Sequence, residues 1–155
     1  MINDLETQLV SSERMLLDGL DSPFKIQSFL NTIPYSEDEI YRCPQRVLRY
    51  RKAYCFNGGI FAAMVLQHIG HPPLILKLIL NGREDDHILA PFRNFDHWGA
   101  VVLSNFTGLR YREPVYRSLR ELVMSYFEDF FHSAGEKTLA GYRGPINLKV
   151  LDLLE

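Results

Sequence analysis

The chain has 155 residues, 46% hydrophobic and 23% charged, with a net charge of −2. A single domain of that length buries about 70% of its unfolded surface, enough for a core without staples. The near-neutral balance gives no reason to expect nucleic acid or an anionic membrane as the main partner. No apolar run reaches the roughly 18 residues that span a bilayer. Residues 1–6 are mixed and acidic, unlike a signal peptide. A cytoplasmic protein is therefore expected, with Cys43 and Cys55 free thiols in a reducing compartment. Two cysteines are too few for a structural zinc site unless histidines join them.

Residues 1–20 carry Leu5, Leu9, Leu16, Leu17 and Leu20 at near-helical spacing, which predicts a peripheral helix. Ser22 then reads as an N-cap with Pro23 at the first helical position. Phe24, Ile26, Phe29, Leu30 and Ile33 give that second helix its apolar face, and Pro34 ends it. Residues 37–44 are polar loop. The basic segment 45–51 fits either a short helix or an extended lead-in, and its arginines fit a solvated surface.

Cys55 opens the strongest helical signal in the chain. Ile60, Phe61, Ala62, Ala63, Met64, Val65, Leu66 and Ile69 are apolar on several sides, as in a buried central helix. Gly70 and Pro72-Pro73 stop it. Gly58 and Gly59 weaken a helix by about 1 kcal/mol each relative to alanine. They suit a place where a strand or a substrate comes close.

Residues 74–80 form a continuous apolar run, expected to be a buried strand. After a polar turn at 81–86, residues 87–93 make a second strand, 94–97 a hairpin loop and 98–105 a third strand. Pro91 suggests an edge or a bulge. Glu113-Pro114 reads as the start of a helix through Phe131. The remainder reads as loop with one apolar segment at 146–151. The expected fold is α+β: a central antiparallel sheet with the Cys55 helix packed on it. It is one domain over 1–155, with a peripheral helix at 1–20, a core at 22–108 and a helical extension and tail at 109–155.

The chemistry follows from Cys55. A thiol at a helix start feels the positive end of the dipole and nearby backbone N–H groups, both of which favour thiolate. A nucleophilic cysteine also needs a base, and the base needs an orienting group. His87 opens the second strand. If Arg93 pairs with Trp98, paired numbers sum to 191 and His87 faces Ser104. A loop one residue different brings Asn105 instead. Asn105 can accept from the imidazole N–H and fix its tautomer. An oxyanion hole would use the Cys55 N–H and a second donor that the sequence does not identify.

Tyr54-Cys55 through Gly70-His71-Pro72-Pro73, then Asp86-His87, Trp98 and Asn105-Phe106-Thr107, resembles the transglutaminase-like superfamily of papain-related fold. Ser22 to Leu30 and Pro34-Tyr35-Ser36 resemble the leading helix and its exit. The likeness spans roughly 22–108, and residues 110–131 resemble an extension of a bacterial-type member. Asn stands where many members have Asp, and the histidine strand lacks the usual His-x-Trp pair.

The resemblance implies Cys55 as nucleophile, His87 as base and Asn105 as the orienting residue. The reaction would be acyl chemistry on a peptide, amide or thioester substrate, by hydrolysis or acyl transfer. No cofactor and no metal are expected. The rival expectation is a catalytically inactive binding module on the same fold. Trp98 fits core packing or a substrate wall, and Arg110 and Arg112 fit a substrate carboxylate or ordinary surface charge. His68 and His71 lack an evident third metal ligand. Asp86 fits a turn cap or a charge near His87. The oligomeric state is not set by these residues.

Overall fold

The computed structural model describes residues 8–38, 40–82, 87–132 and 134–153, with 151–153 described by backbone alone. Asp86 and Leu5 lie outside the described residues, as does most of the 81–86 turn.

Helix α1 (Ser11–Gly19) begins where Glu13 reaches back to the Val10 N–H at 3.1 Å. Glu13 is also held by Arg49 of helix α3 (Pro44–Tyr50), at 2.6 Å to Nε and 3.1 Å to Nη2. Arg49 therefore holds α3 to α1. Helix α2 (Pro23–Asn31) has the expected cap, with the Ser22 hydroxyl accepting from the Lys25 N–H. Of the 45–51 segment, residues 45–50 are helical, and the helix stops where Arg51 turns left-handed at φ 52°.

Helix α4 (Cys55–His68) is buried along most of its length. It stops before Gly70, which takes φ 97°, a conformation glycine adopts without a Cβ penalty.

Five antiparallel strands form one sheet in the order β4-β3-β2-β1-β5. They are β1 (Leu74–Leu80), β2 (His87–Asn94), β3 (His97–Val101), β4 (Arg112–Tyr116) and β5 (Leu139–Asn147). The β2–β3 register is Arg93↔Trp98 and Ala90↔Val101, as expected. The turn is two residues, Phe95 and Asp96, both at positive φ. Such a turn matches the twist of a hairpin. Pro91 sits in a central strand, but the last β1–β2 pair is Leu76↔Leu89. At Pro91 the β1 side is already unpaired, so the missing N–H costs no ladder bond.

Three expectations are corrected. The third strand ends at Val101, because the buried Gln27 side chain takes over at Val102. Its amide donates to the Val102 carbonyl and accepts from the Val102 N–H, both at 2.8 Å. Glu113-Pro114 does not open a helix. Pro114 lies in edge strand β4, where the register shifts between Trp98↔Tyr116 and Ala100↔Arg112. A bulge at an edge accepts proline. The helix of this segment, α5 (Leu119–Met124), starts later, with Ser118 accepting from the Glu121 N–H. Finally, the tail is not mostly loop. Residues 139–147 pair with β1 through two register shifts, and Gly144-Pro145 falls within one of them.

The sheet is packed on both faces. Ala90, Phe92, Val101 and Leu103 join α1–α4 in one core. Leu76, Leu78, Leu89, Ala100 and Val102 join Leu109, Leu122, Val123, Tyr126 and Phe130 in the other. The extension is thus the second covering layer of the domain.

Arg112 fastens that layer. It donates from Nε to the Ser125 hydroxyl at 3.0 Å, and from Nη2 to the Ser125 carbonyl at 3.1 Å and the Gly108 carbonyl at 3.3 Å. It also pairs with Asp129 at 3.4 Å and lies 4.2 Å from the centroid of the buried Tyr126 ring. A guanidinium committed this way ties β4 to the layer that covers it. Arg112→Lys cannot reproduce the fork. It is expected to cost about 2 kcal/mol, a melting shift of roughly 4–8 °C, read by thermal denaturation.

Candidate active site

Two glycines set α4 against the strands. A Cβ on Gly59 would lie 2.5 Å from Ile88 Cγ2, and one on Gly58 would lie 2.5 Å from Leu103 Cβ. At the far end, just past the helix, the His71 ring meets Phe92 at 5.8 Å. Helix α4 therefore runs alongside β2 in the same direction, from Ile88 toward Phe92. Cys55 lies one turn before Gly59, toward the end of the sheet where β2 begins. His87 is that first residue. Leu103, under Gly58, brings the end of the third-strand segment to the same place. One end of the sheet thus collects the first turn of α4, His87 and residues 103–105.

Cys55 is buried at 8% exposure, whereas Cys43 is exposed. The loop beside Cys55 is fixed by the buried Asn57. Oriented to suit its neighbours, its amide donates to the Ile40 carbonyl at 3.2 Å and accepts from the Arg42 N–H at 2.9 Å. Asp38 braces the same loop, with Arg42 Nη1 at 2.7 Å and Lys52 Nζ at 2.5 Å. Arg42, then Lys52, holds the Asp38 carboxyl well below the usual carboxylate range. A depressed folded-state value gives stability that is present above the unfolded value near pH 4 and lost as pH falls below it. Protonating Asp38 therefore removes part of the chain's stability as pH falls below about 4. Asp38→Asn should reduce stability at neutral pH and flatten the fall below about pH 4, read as melting temperature against pH.

His87 is 4% exposed. Its ring meets Phe106 edge-on at 5.2 Å and Phe130 at 5.3 Å, and those two rings stack on each other at 5.4 Å. Ile88 faces α4, so strand alternation turns His87 to the side that carries this aromatic pair. The pair is invisible to a reading of spacing, because Phe130 comes from the extension, 43 residues after His87 in the sequence.

The third position lies past the end of β3. Ser104 is buried, and its hydroxyl accepts from the Phe106 N–H at 3.0 Å. Asn105 is exposed, at a bend. Carrying the β2–β3 register onward sets Ser104 opposite His87. Arg110 Nη1 holds the Ser104 carbonyl at 2.5 Å, so this exposed arginine stands at the site. Trp98 does not. It pairs with Arg93, six residues along β2 from His87, about 20 Å at the rise of a strand. There Arg93 lies over its indole at 5.2 Å. The indole packs against the core on the extension side of the sheet, away from His87.

Tyr35, which in sequence belongs to the exit of the leading helix, also reaches Cys55. A parallel bridge pairs Tyr35 with Ala53, and the Ser36 N–H donates to the Ala53 carbonyl at 2.8 Å. This brings the Tyr35 hydroxyl to 3.4 Å from the Cys55 backbone nitrogen, which donates to it.

His68 pairs with Asp18 at 3.3 Å, and His97 Nδ1 lies 2.8 Å from the Phe95 carbonyl. Among the described residues no group of three His, Cys, Asp or Glu side chains could hold a metal ion, and no helix is long and apolar enough to cross a membrane.

No protein-family model and no curated protein matches the chain. Among solved structures it is similar to Legionella pneumophila LapG, at 16% identity, covering 71% of this chain and 72% of that one with a TM-score of 0.46. A second, EGTA-treated LapG structure gives 17% identity over 66% and 68% of the two chains, with a TM-score of 0.45.

Proposed function

We propose that the chain performs thiol-dependent acyl chemistry on a peptide, amide or thioester. The observation that supports this most is the course of α4 along β2, which sets Cys55 and His87 at one end of the sheet. In this reading His87 takes the Cys55 thiol proton. The sulfur attacks the carbonyl carbon, forming an S–C bond and moving the π pair to oxygen. Collapse expels the amine, which receives the proton from His87, or the thiolate of a thioester. Water then frees the acid, or an amine takes the acyl group. The 104–105 corner orients the ring, through Asn105 or the buried Ser104. Arg110 stands where a substrate carboxylate could meet it. The setting is cytoplasmic, with no cofactor.

The test is turnover of peptide, amide and thioester probes by the native chain, Cys55→Ser, Ser104→Ala and Asn105→Ala. Cys55→Ser should be inactive, and the larger loss between the other two identifies the orienting group. A Cys55→Ser chain as active as the native one would sink the reading.

A second reading is a non-catalytic binding module. The exposure of Asn105 and the turn of His87 toward Phe106 and Phe130 favour it. It predicts no turnover of any probe and an ordinary Cys55 thiol.

A further inference from the structure

We infer that Tyr35 supplies the second oxyanion donor, its phenol acting with the Cys55 backbone N–H. The inference rests on Cys55 being the nucleophile proposed above. An oxyanion hole needs two donors that can both come within about 2.7–3.1 Å of one oxygen. The Tyr35 oxygen and the Cys55 nitrogen are 3.4 Å apart, so one oxygen at the apex of a narrow triangle reaches both. The resting bond between them is at the long end for N–H···O and is readily exchanged for a charged acceptor. Its direction also fits. The Tyr35 oxygen accepts from Cys55, and a hydroxyl is both acceptor and donor, so its O–H can be turned onto the substrate oxygen.

Position is secured independently of the hydroxyl. The Tyr35↔Ala53 bridge and the Ser36–Ala53 bond fix the Tyr35 backbone two residues before Cys55. The half-buried ring packs against the core under α4. A phenol on such a mount moves little between resting and reacting states, which is the condition for preorganised stabilisation.

The step is the one already written. As the Cys55 sulfur bonds to the carbonyl carbon, the π pair becomes an oxyanion. The Cys55 N–H and the Tyr35 O–H donate to it until collapse restores the C=O bond and expels the leaving group.

The test compares two reactions of the same thiol in a Cys43→Ser chain. Acylation by p-nitrophenyl acetate passes through an oxyanion and releases p-nitrophenolate. Alkylation by iodoacetamide forms an S–C bond at a saturated carbon and makes none. Tyr35→Phe should slow the acylation burst by about 10²-fold or more, with alkylation within about twofold of the parent. Acylation unchanged, or both reactions slowed equally, would overturn the inference. A parent chain whose alkylation is indifferent to His87→Ala would instead defeat the reading beneath it. Placing 3,5-difluorotyrosine at position 35 keeps the ring and acidifies the phenol. It should move the alkaline loss of acylation to lower pH, an effect that a purely structural tyrosine would not show.

Discussion

His87→Ala is expected to cut turnover of an amide or thioester by about 10³-fold, within the span typical of removing a general base. The comparison must be made on folded protein. His87 is buried edge-on against the stacked Phe106 and Phe130 rings, and truncation removes that contact from both. His87→Gln, which fills more of the space, should be as inactive while melting closer to the native chain. Its activity separates lost chemistry from lost packing. Turnover that survives both substitutions would remove His87 from the reaction.

Gly59→Ala should lower stability and slow the thiol together. Alanine gains up to about 1 kcal/mol of helix propensity over glycine. Against that stands a Cβ placed 2.5 Å from Ile88 Cγ2 and 3.4 Å from the Ile88 carbonyl. Ile88 is β-branched and sits in a strand, so its rotamer cannot yield. Overpacking of this kind costs about 1–3 kcal/mol, so after the propensity gain the net loss should be up to about 2 kcal/mol, or at most roughly 8 °C in melting temperature. The helix can relieve the clash only by lifting off β2, which carries Cys55 away from His87. Gly19→Ala is the control, because a Cβ there meets nothing within 4 Å. It should hold or raise the melting temperature and leave Cys55 reactivity unchanged.

Local signals made the centre of the fold legible. Ser22-Pro23 marked a helix start, Gly70 and Pro72 an exit, and the apolar run at 74–80 a strand. Of the two hairpin registers the sequence left open, the structure has the one that pairs Arg93 with Trp98. The signals failed where tertiary structure overrode them. Pro114 resembles a helix start in sequence but occupies an edge bulge, whose register shift excuses its missing N–H. Gly141 and Gly144-Pro145 resemble loop, yet β5 tolerates them because it is an edge strand with bulges of its own. The third strand looked longer than it is because a side chain, that of Gln27, completes the pairing at Val102.

The site divides in the same way. Cys55 and His87 are readable because each opens an element, and Gly58 and Gly59 hint at the close approach between them. Residues supplied from a distance were not readable. Tyr35 reaches Cys55 through a single bridge to Ala53, and Phe130 reaches His87 from the far covering layer. Arg110 and Arg112 looked alike in sequence, and only packing separates them: Arg110 holds the Ser104 carbonyl, whereas Arg112 is committed to Ser125, Gly108 and Asp129.

The central claim is that Cys55 and His87 act as a pair, and the rate of Cys55 alkylation against pH tests it most directly. The measurement uses the Cys43→Ser chain with and without His87→Ala. The pair predicts rapid alkylation well below pH ~8.5, where an ordinary thiol is protonated, and its loss in the alanine variant. An inert Cys55, one that reacts only as an ordinary thiol does, or one indifferent to His87 would contradict it.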